Sequence, residues 1–360
     1  MSSSLVLVTG ISGYTGAHVA SRLLKEGYRV RGLVRPHKVS AVQERYAVYG
    51  DRVEIGPVDD LIKGDLTDAL RGVDSVIHLA SPLPGTSDAR GTLDATKGGC
   101  LNIVRQAEKA GIKQIVVISS VAALAMLIPG TTIKAPLTSN DWFEITEEIA
   151  VTWPDPIAVY AASKAIAEKA LWEYAKEHPE LNIITLCPTL FVGPFAPEQI
   201  IKPGGTSAIS TAVSTYNFIN PNVTLPTESL GYVDVRDAAA ALVAATRVKG
   251  QHRLPFSGEF FDHTEAFPYI ASVRPELKDR LAKATSTGQT KPTIDAAPAL
   301  KVLGMPGLTP WRESVLDAVD AIVQLEKEWI AAGVDVEEKL AKNQWLDFQI
   351  ATGTYKIAHE

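Results

Sequence analysis

Apolar residues in this chain fall into short uninterrupted runs separated by longer segments in which they recur every three or four positions. The run Leu5, Val6, Leu7, Val8 comes first, and a segment with Val19, Ala20, Leu23 and Leu24 on one face follows it, stopping at Gly27. Short apolar runs bounded by turn residues predict buried strands, and the 3.6-residue period predicts helix. Further strands are expected over residues 28–34, 53–58, 75–80, 114–120 and 181–187, with helices over 39–49, 88–110 and 156–178. In the second of these helices Leu93, Cys100, Ile103, Val104 and Ala107 share a face, and Gly111 closes it. Strand alternating with helix predicts an α/β fold, a doubly wound parallel sheet covered on both faces.

Beyond residue 190 the alternation loosens. The pattern there predicts a helix near 206–216, a strand around 229–233 and an alanine-rich helix capped by Asp234. A long final helix starts near Trp311 and buries Val315, Leu316, Val319, Ile322 and Val323. We therefore expect a nucleotide-binding domain over 1–190, joined again by about 229–250, then a smaller α/β substrate lobe over 191–334 and an extension over 335–360. Phe195, Tyr216, Phe218 and Tyr232 belong either to the core or to the pocket of that lobe, and the tail with Trp345, Phe348 and Tyr355 packs on the body or on a second subunit. Residues 128–156, rich in Thr, Asn and Pro and carrying Trp142, Phe143 and Trp153, read as an insertion over the site rather than a regular element.

Composition narrows the class. With 46% hydrophobic and 21% charged residues and a net charge of −6, the 360-residue chain carries no general attraction for nucleic acid or anionic membrane. Cys100 and Cys187 sit in apolar segments and are expected to be reduced core thiols of a cytoplasmic protein. No run approaches the ~18 apolar residues of a membrane span, and no metal-ligand spacing stands out.

The densest chemistry lies where the first strand meets the first helix, V-T-G-I-S-G-Y-T-G from Val8 to Gly16. Glycines 10, 13 and 16 permit a sharp turn, close approach of backbone to a pyrophosphate, and close helix–strand packing. Free N–H groups at the helix start would face the phosphates, which brings Ser12, Tyr14 and Thr15 into the expected dinucleotide site. About 20 residues after such a turn, an acidic side chain would select NAD by binding the ribose hydroxyl; here Arg35 and Lys38 stand at that place, and a guanidinium can fork onto a 2′-phosphate. NADP(H) is therefore the expected cofactor. Asp60-Leu61 suits the adenine, and Asp65 is read as the cap of a short helix. Leu79, Ala80 and Ser81, stiffened by Pro82 and Pro84, would lie beside the pyrophosphate and nicotinamide ribose; Pro188, Thr189 and Leu190 turn the chain past the nicotinamide. His78, alone in an apolar strand, is read as core.

Two serines end the strand over 114–120, and forty residues later comes Tyr160-Ala-Ala-Ser-Lys164, with Tyr160 and Lys164 on one helix face. Taken together, these stretches resemble the extended short-chain dehydrogenase/reductases. The branch they resemble contains the dihydroflavonol reductases, cinnamoyl-CoA reductases and fungal or yeast NADPH-dependent aldehyde/ketone reductases. The resemblance covers about residues 4–335 and includes V-D-D-L at 58–61, H-L-A-S-P at 78–82, I-S-S at 118–120 and C-P-T-L at 187–190. It implies a Rossmann-type fold and a catalytic trio of Ser120, Tyr160 and Lys164, with Ser119 as the alternative serine. Tyr160 and Lys164 would also contact the cofactor.

Carbonyl reduction places negative charge on oxygen as hydride reaches carbon, so a hydrogen-bond donor and a proton source are needed there. Ser120 and Tyr160 supply them, and the Lys164 ammonium favours the phenolate. Many extended members place an asparagine in the fourth helix to hold a relay water; Lys97 stands there in this chain, and Asn102 is a poor substitute. Other activities considered are a hydroxysteroid dehydrogenase or nucleotide-sugar epimerase or dehydratase, against which Arg35 argues, and a non-catalytic NADP sensor, against which Tyr160 argues. The expected partner is a small carbonyl or alcohol substrate, and the expected state is monomer or homodimer.

Overall fold

The computed structural model describes residues 4–85, 87–126, 136–226, 231–285, 293–336 and 339–340. In chain order the first half forms β1 (Leu5–Thr9), α1 (Tyr14–Lys25), β2 (Arg29–Val34), α2 (Val39–Tyr46), β3 (Val53–Pro57), α3 (Thr67–Leu70), β4 (Ser75–His78), α4 (Ala89–Lys109) and β5 (Gln114–Ile118). Then come α5 (Glu147–Ala150), α6 (Pro156–Glu177), β6 (Asn182–Pro188), β7 (Leu190–Val192), β8 (Thr224–Pro226), β9 (Tyr232–Asp234), β10 (His252–Phe256) and β11 (Lys283–Thr285). Seven strands make one parallel sheet in the order β10-β6-β5-β4-β1-β2-β3. Because the chain winds outward from β1 to β3 and returns to β4 on the other side of β1, the crevice where such sheets bind ligands opens between β1 and β4.

Alternation along β1 divides the core. Val6 and Val8 face one layer, with Val19, Leu23 and the alanine-rich helix Val235–Ala245. Leu5 and Leu7 face the other, with Ile103, Val104 and Leu171 from α4 and α6. Every β1 residue is buried, as a strand covered on both faces must be.

Several elements differ from the sequence expectation, among them the short strands β7, β8 and β11, which the pattern does not predict. The seventh strand, β10, was not foreseen because Pro255 interrupts its pattern; proline is tolerated there because β10 is an edge strand paired only with β6. The helix expected over 206–216 breaks into Thr206–Ile209 and Val213–Tyr216 around Ser210, whose φ is 49°. The insertion contains one regular turn, α5, among its described residues, and 127–135 lie outside them.

Past β6 the smaller lobe is built from the pairs β7–β9 and β8–β11 and the long helix Trp311–Ala331. Tyr216, Phe218 and Tyr232 belong to its core, while Phe195 is partly buried against it with its ring edge-on to Tyr14. Residues 341–360, with Trp345, Phe348 and Tyr355, lie outside the described residues. No described helix is long and apolar enough to cross a membrane.

Candidate active site

Thr9 closes β1 and joins the two loops at the sheet's crevice. Its hydroxyl accepts the N–H groups of Leu79 and Ala80 at 3.1 and 3.2 Å and pairs with His78 Nδ1 at 2.8 Å. Burial first, and then the Lys164 charge, push the His78 imidazole down to about 3. It is neutral near pH 7 and serves the core, as its apolar strand implied.

The glycine turn follows. Gly10 has φ +74°, and a side chain there would meet Ala80 N at 3.1 Å. A Cβ at Gly16 would fall 2.1 Å from the Gly10 carbonyl oxygen and 2.8 Å from Ile11 Cα, so the main chain itself would have to open. Gly16→Ala is therefore expected to destabilise the protein by about 1–3 kcal/mol and to weaken dinucleotide binding. Gly13→Ala, whose nearest contact is the Gly10 oxygen at 3.3 Å, should do less. Thermal midpoints and coenzyme titrations check this, and a Gly16→Ala protein as stable as the parent refutes it.

Helix α1 starts at Gly13 with no side-chain cap and no acidic residue in its first turn. Its first N–H groups are thus available to an anion. Ser12 and Thr15 are half-exposed at this end. Tyr14 is different: its phenol is buried, donates to Gly193 O at 2.7 Å and packs in the second lobe's core. Only its backbone faces the turn. His18 bonds the Pro194 carbonyl at 2.9 Å, so α1 is pinned to the chain entering that lobe.

At the outer rim Arg35 and Lys38 are exposed and have no ion-pair partner among the described residues. Partial desolvation, then the charges of Arg35 and Lys202, lower the Lys38 ammonium. Lys202 comes from the second lobe, and nothing near it in the sequence pointed to this rim. Asp60 is exposed and its Oδ1 accepts the N–H groups of Ile62 and Lys63; Leu61 is half-buried. Asp65 accepts from Thr67 N and Oγ1 and so braces the turn into α3, but the cap position itself is Leu66 and no side chain caps that helix, so the expected cap is displaced by one residue. Asn102 holds the carbonyls of Leu61 and Gly64 and so supports this turn, whereas Lys97 bonds Glu147 at 2.7 Å.

Ser120 leaves the sheet two residues after β5, its Oγ accepting Ala122 N at 3.2 Å. Asp155 caps α6 by accepting from Ile157 N and Ala158 N, with Pro156 in the first turn, and so fixes the helix that carries Tyr160 and Lys164. Lys164 Nζ lies 5.7 Å from the Tyr160 ring centre. Ser120, Tyr160 and Lys164 line one cavity of about 240 Å³ together with Thr15, Leu79, Ser81 and the 188–190 segment. Ala80 adjoins it through the Thr9 link. Ser119 also reaches this cavity, but its hydroxyl donates to the buried Glu168 carboxylate at 2.8 Å, which occupies it. Met126, Ile157, Phe191 and the hydroxyl residues Ser210, Thr211 and Ser214 are also among its walls. Phe191, Ser210, Thr211 and Ser214 come from the second lobe by tertiary packing, whereas Met126 follows β5 and Ile157 stands one turn before Tyr160 on α6; the sequence pattern singled out none of them.

The model of the NAD dependent epimerase/dehydratase family matches residues 6–254. A Schizosaccharomyces pombe protein named "putative uncharacterized oxidoreductase" is 31% identical over 341 residues, covering 90% of this chain and 98% of that one. Aldehyde reductase 2 of Sporidiobolus salmonicolor is 30% identical over 334 residues, covering 88% and 95%. Among solved structures, yeast methylglyoxal/isovaleraldehyde reductase Gre2 complexed with NADPH superposes with a TM-score of 0.76 at 25% identity, over 90% of this chain and 99% of that one.

Proposed function

Because the chain belongs to the NAD dependent epimerase/dehydratase family, we propose that it is an NADPH-dependent reductase that converts an aldehyde or ketone to the alcohol, with Tyr160 giving the proton. One observation carries this reading: a single cavity joins Ser120, Tyr160 and Lys164 to the Thr15 turn and to Pro188, Thr189 and Leu190. The names of the relatives, an aldehyde reductase and an NADPH-bound aldehyde reductase, agree with it.

The residues present fit the coenzyme. Gly10, Ser12, Gly13, Thr15 and Gly16, with the backbone of Tyr14, would hold the pyrophosphate at the uncapped start of α1. Arg35, Lys38 and Lys202 would hold a 2′-phosphate, Asp60 and Leu61 the adenine, and Leu79, Ala80 and Ser81 the inner ribose. When bound, NADPH supplies the hydride that reaches the carbonyl carbon. The Ser120 hydroxyl then donates a hydrogen bond to the oxygen on which charge builds. Tyr160 delivers the proton to that oxygen, and the Lys164 ammonium stabilises the phenolate left behind. In this reading residues 1–190 and 235–256 hold the coenzyme, and the second lobe forms the substrate wall.

Purified protein mixed with NADPH and a panel of aldehydes, α- and β-keto esters, diketones and flavanonols should oxidise the coenzyme with at least one class; none doing so rejects the proposal. Cofactor choice follows from the cationic rim. A hydrogen bond to a charged group contributes about 1.5–3 kcal/mol, so Arg35→Asp should lower the NADPH-over-NADH ratio of kcat/KM by about 10- to 150-fold. Lys202→Ala should lower it less, acting on NADPH alone. An unchanged ratio in the Arg35 variant removes the 2′-phosphate assignment.

A further inference from the structure

Helix α6 carries a third side chain in line with Tyr160 and Lys164. Glu168, one turn further along, is buried beneath the cavity and shares a gap of about 20 Å³ with Lys164 and Ser119. Its carboxylate accepts from Ser119 Oγ at 2.8 Å, from Thr185 Oγ1 at 2.6 Å and from Arg253 Nε and Nη2, each at 3.2 Å. Cys187 Sγ lies 3.3 Å away. One carboxylate thereby ties the ends or edges of β5, β6 and β10 to the helix that bears the tyrosine.

Arg253 extends the network. Its remaining N–H groups donate to the carbonyls of Ala123, Ser139 and Asp141, and its guanidinium lies 3.5 Å over the Trp142 ring. Phe143 N also donates to the Ala123 carbonyl, at 3.0 Å. Ser120 thus lies between two fixed points: the Ser119 hydroxyl, held by Glu168, and the Ala123 carbonyl, held by Arg253.

We propose that Glu168 and Arg253 are positioning residues that set Ser120 against Tyr160 and Lys164. A buried ion pair is weak support for stability, since a well-packed apolar replacement is often equally stable. Its place directly under the catalytic trio, with every guanidinium N–H committed, gives it a geometric task instead. Productive constellations must be held within about 0.5 Å, which takes packed and hydrogen-bonded support. The serine strand end and the tyrosine helix are separate elements, and this carboxylate joins them.

The inference rests on the proposed roles of Ser120, Tyr160 and Lys164. Changing Glu168 itself can unfold the protein, so the test removes only one link: Ser119→Ala leaves the Glu168–Arg253 pair in place. Misplacement of a reacting group by about 1 Å can cost 10²-fold, so kcat should fall about 10- to 100-fold. Meanwhile NADPH affinity should stay near that of the parent, and the unfolding midpoint should fall, because the buried carboxylate loses one donor, with the protein still folded. With 4-deuterated NADPH the isotope effect on kcat should rise, as hydride transfer becomes slower than product release. Ser119→Thr, whose hydroxyl reaches the same carboxylate, should restore kcat. A Ser119→Ala enzyme with parental kcat and isotope effect overturns the proposal, as does a threonine variant as impaired as the alanine one. Should Tyr160→Phe retain turnover, the catalytic reading itself fails, so the two failures are distinguishable.

Discussion

Tyr160→Phe should reduce kcat by about 10²–10⁴-fold, the usual contribution of a positioned general acid, while leaving coenzyme binding nearly intact. The variant removes one oxygen and keeps the ring beside which Lys164 lies at 5.7 Å. Asp155 and Pro156 still start α6, so the helix and its lysine stay where they are. Two magnitudes separate the possible roles of the phenol. Were it only a hydrogen-bonding group for the coenzyme, its loss would cost about 0.5–1.5 kcal/mol, and that cost would appear in NADPH affinity. As proton donor its loss acts on the transition state by about 3–5 kcal/mol and appears in kcat. Coenzyme titration by tryptophan fluorescence and steady-state turnover on the same preparation read the two quantities separately. Turnover above about one-tenth of the parent, with NADPH still bound, would falsify the assignment of Tyr160 as acid.

Much of this site was legible because its chemistry is local in the chain. The glycine turn, the basic end of β2, the serine pair after β5 and the Tyr–Lys pair on α6 each lie within a few residues, where spacing alone fixes which side chains share a turn or a face. His78 was readable for the same reason: a single imidazole inside an apolar strand has the Thr9 hydroxyl for a partner and little exposure. What escaped was nonlocal. Lys202 reaches the rim only because the second lobe folds back on α2's side of the sheet, and Tyr14 turns its phenol into that lobe's core for the same reason. Strand β10 was hidden by Pro255, a residue that argues against a central strand and is harmless at an edge. Ser119 and Ser120 are adjacent and chemically alike in the sequence; Glu168, which claims the first and leaves the second for the cavity, distinguishes them only after folding.

Arg253→Met should destabilise the protein by about 3–5 kcal/mol, more than Gly16→Ala. The substitution keeps much of the side-chain volume and removes the charge opposite Glu168, both partners being nearly inaccessible to solvent at 6% and 2% side-chain exposure. The carbonyls of Ser139 and Asp141 lose this donor at the same time, that of Ala123 keeps only the Phe143 N–H, and Trp142 loses the cation over its ring. The larger part of the cost is expected from the carboxylate, because an unpaired buried charge is penalised more heavily than neutral carbonyls, of which the buried Ala123 keeps the Phe143 N–H and Ser139 is exposed. A second substitution separates these contributions: Glu168→Gln in the Arg253→Met background removes the stranded charge and leaves the carbonyls as they were. The double variant should therefore recover part of the lost stability, although Glu168→Gln alone is destabilising, and the coupling energy from the four proteins measures the pair itself. Urea unfolding midpoints with unchanged slopes provide the data. Strict additivity across the cycle would show that Arg253 acts mainly through the Ala123, Ser139 and Asp141 carbonyls, and the carboxylate would then lose its place as the joint between the serine strand end and the tyrosine helix.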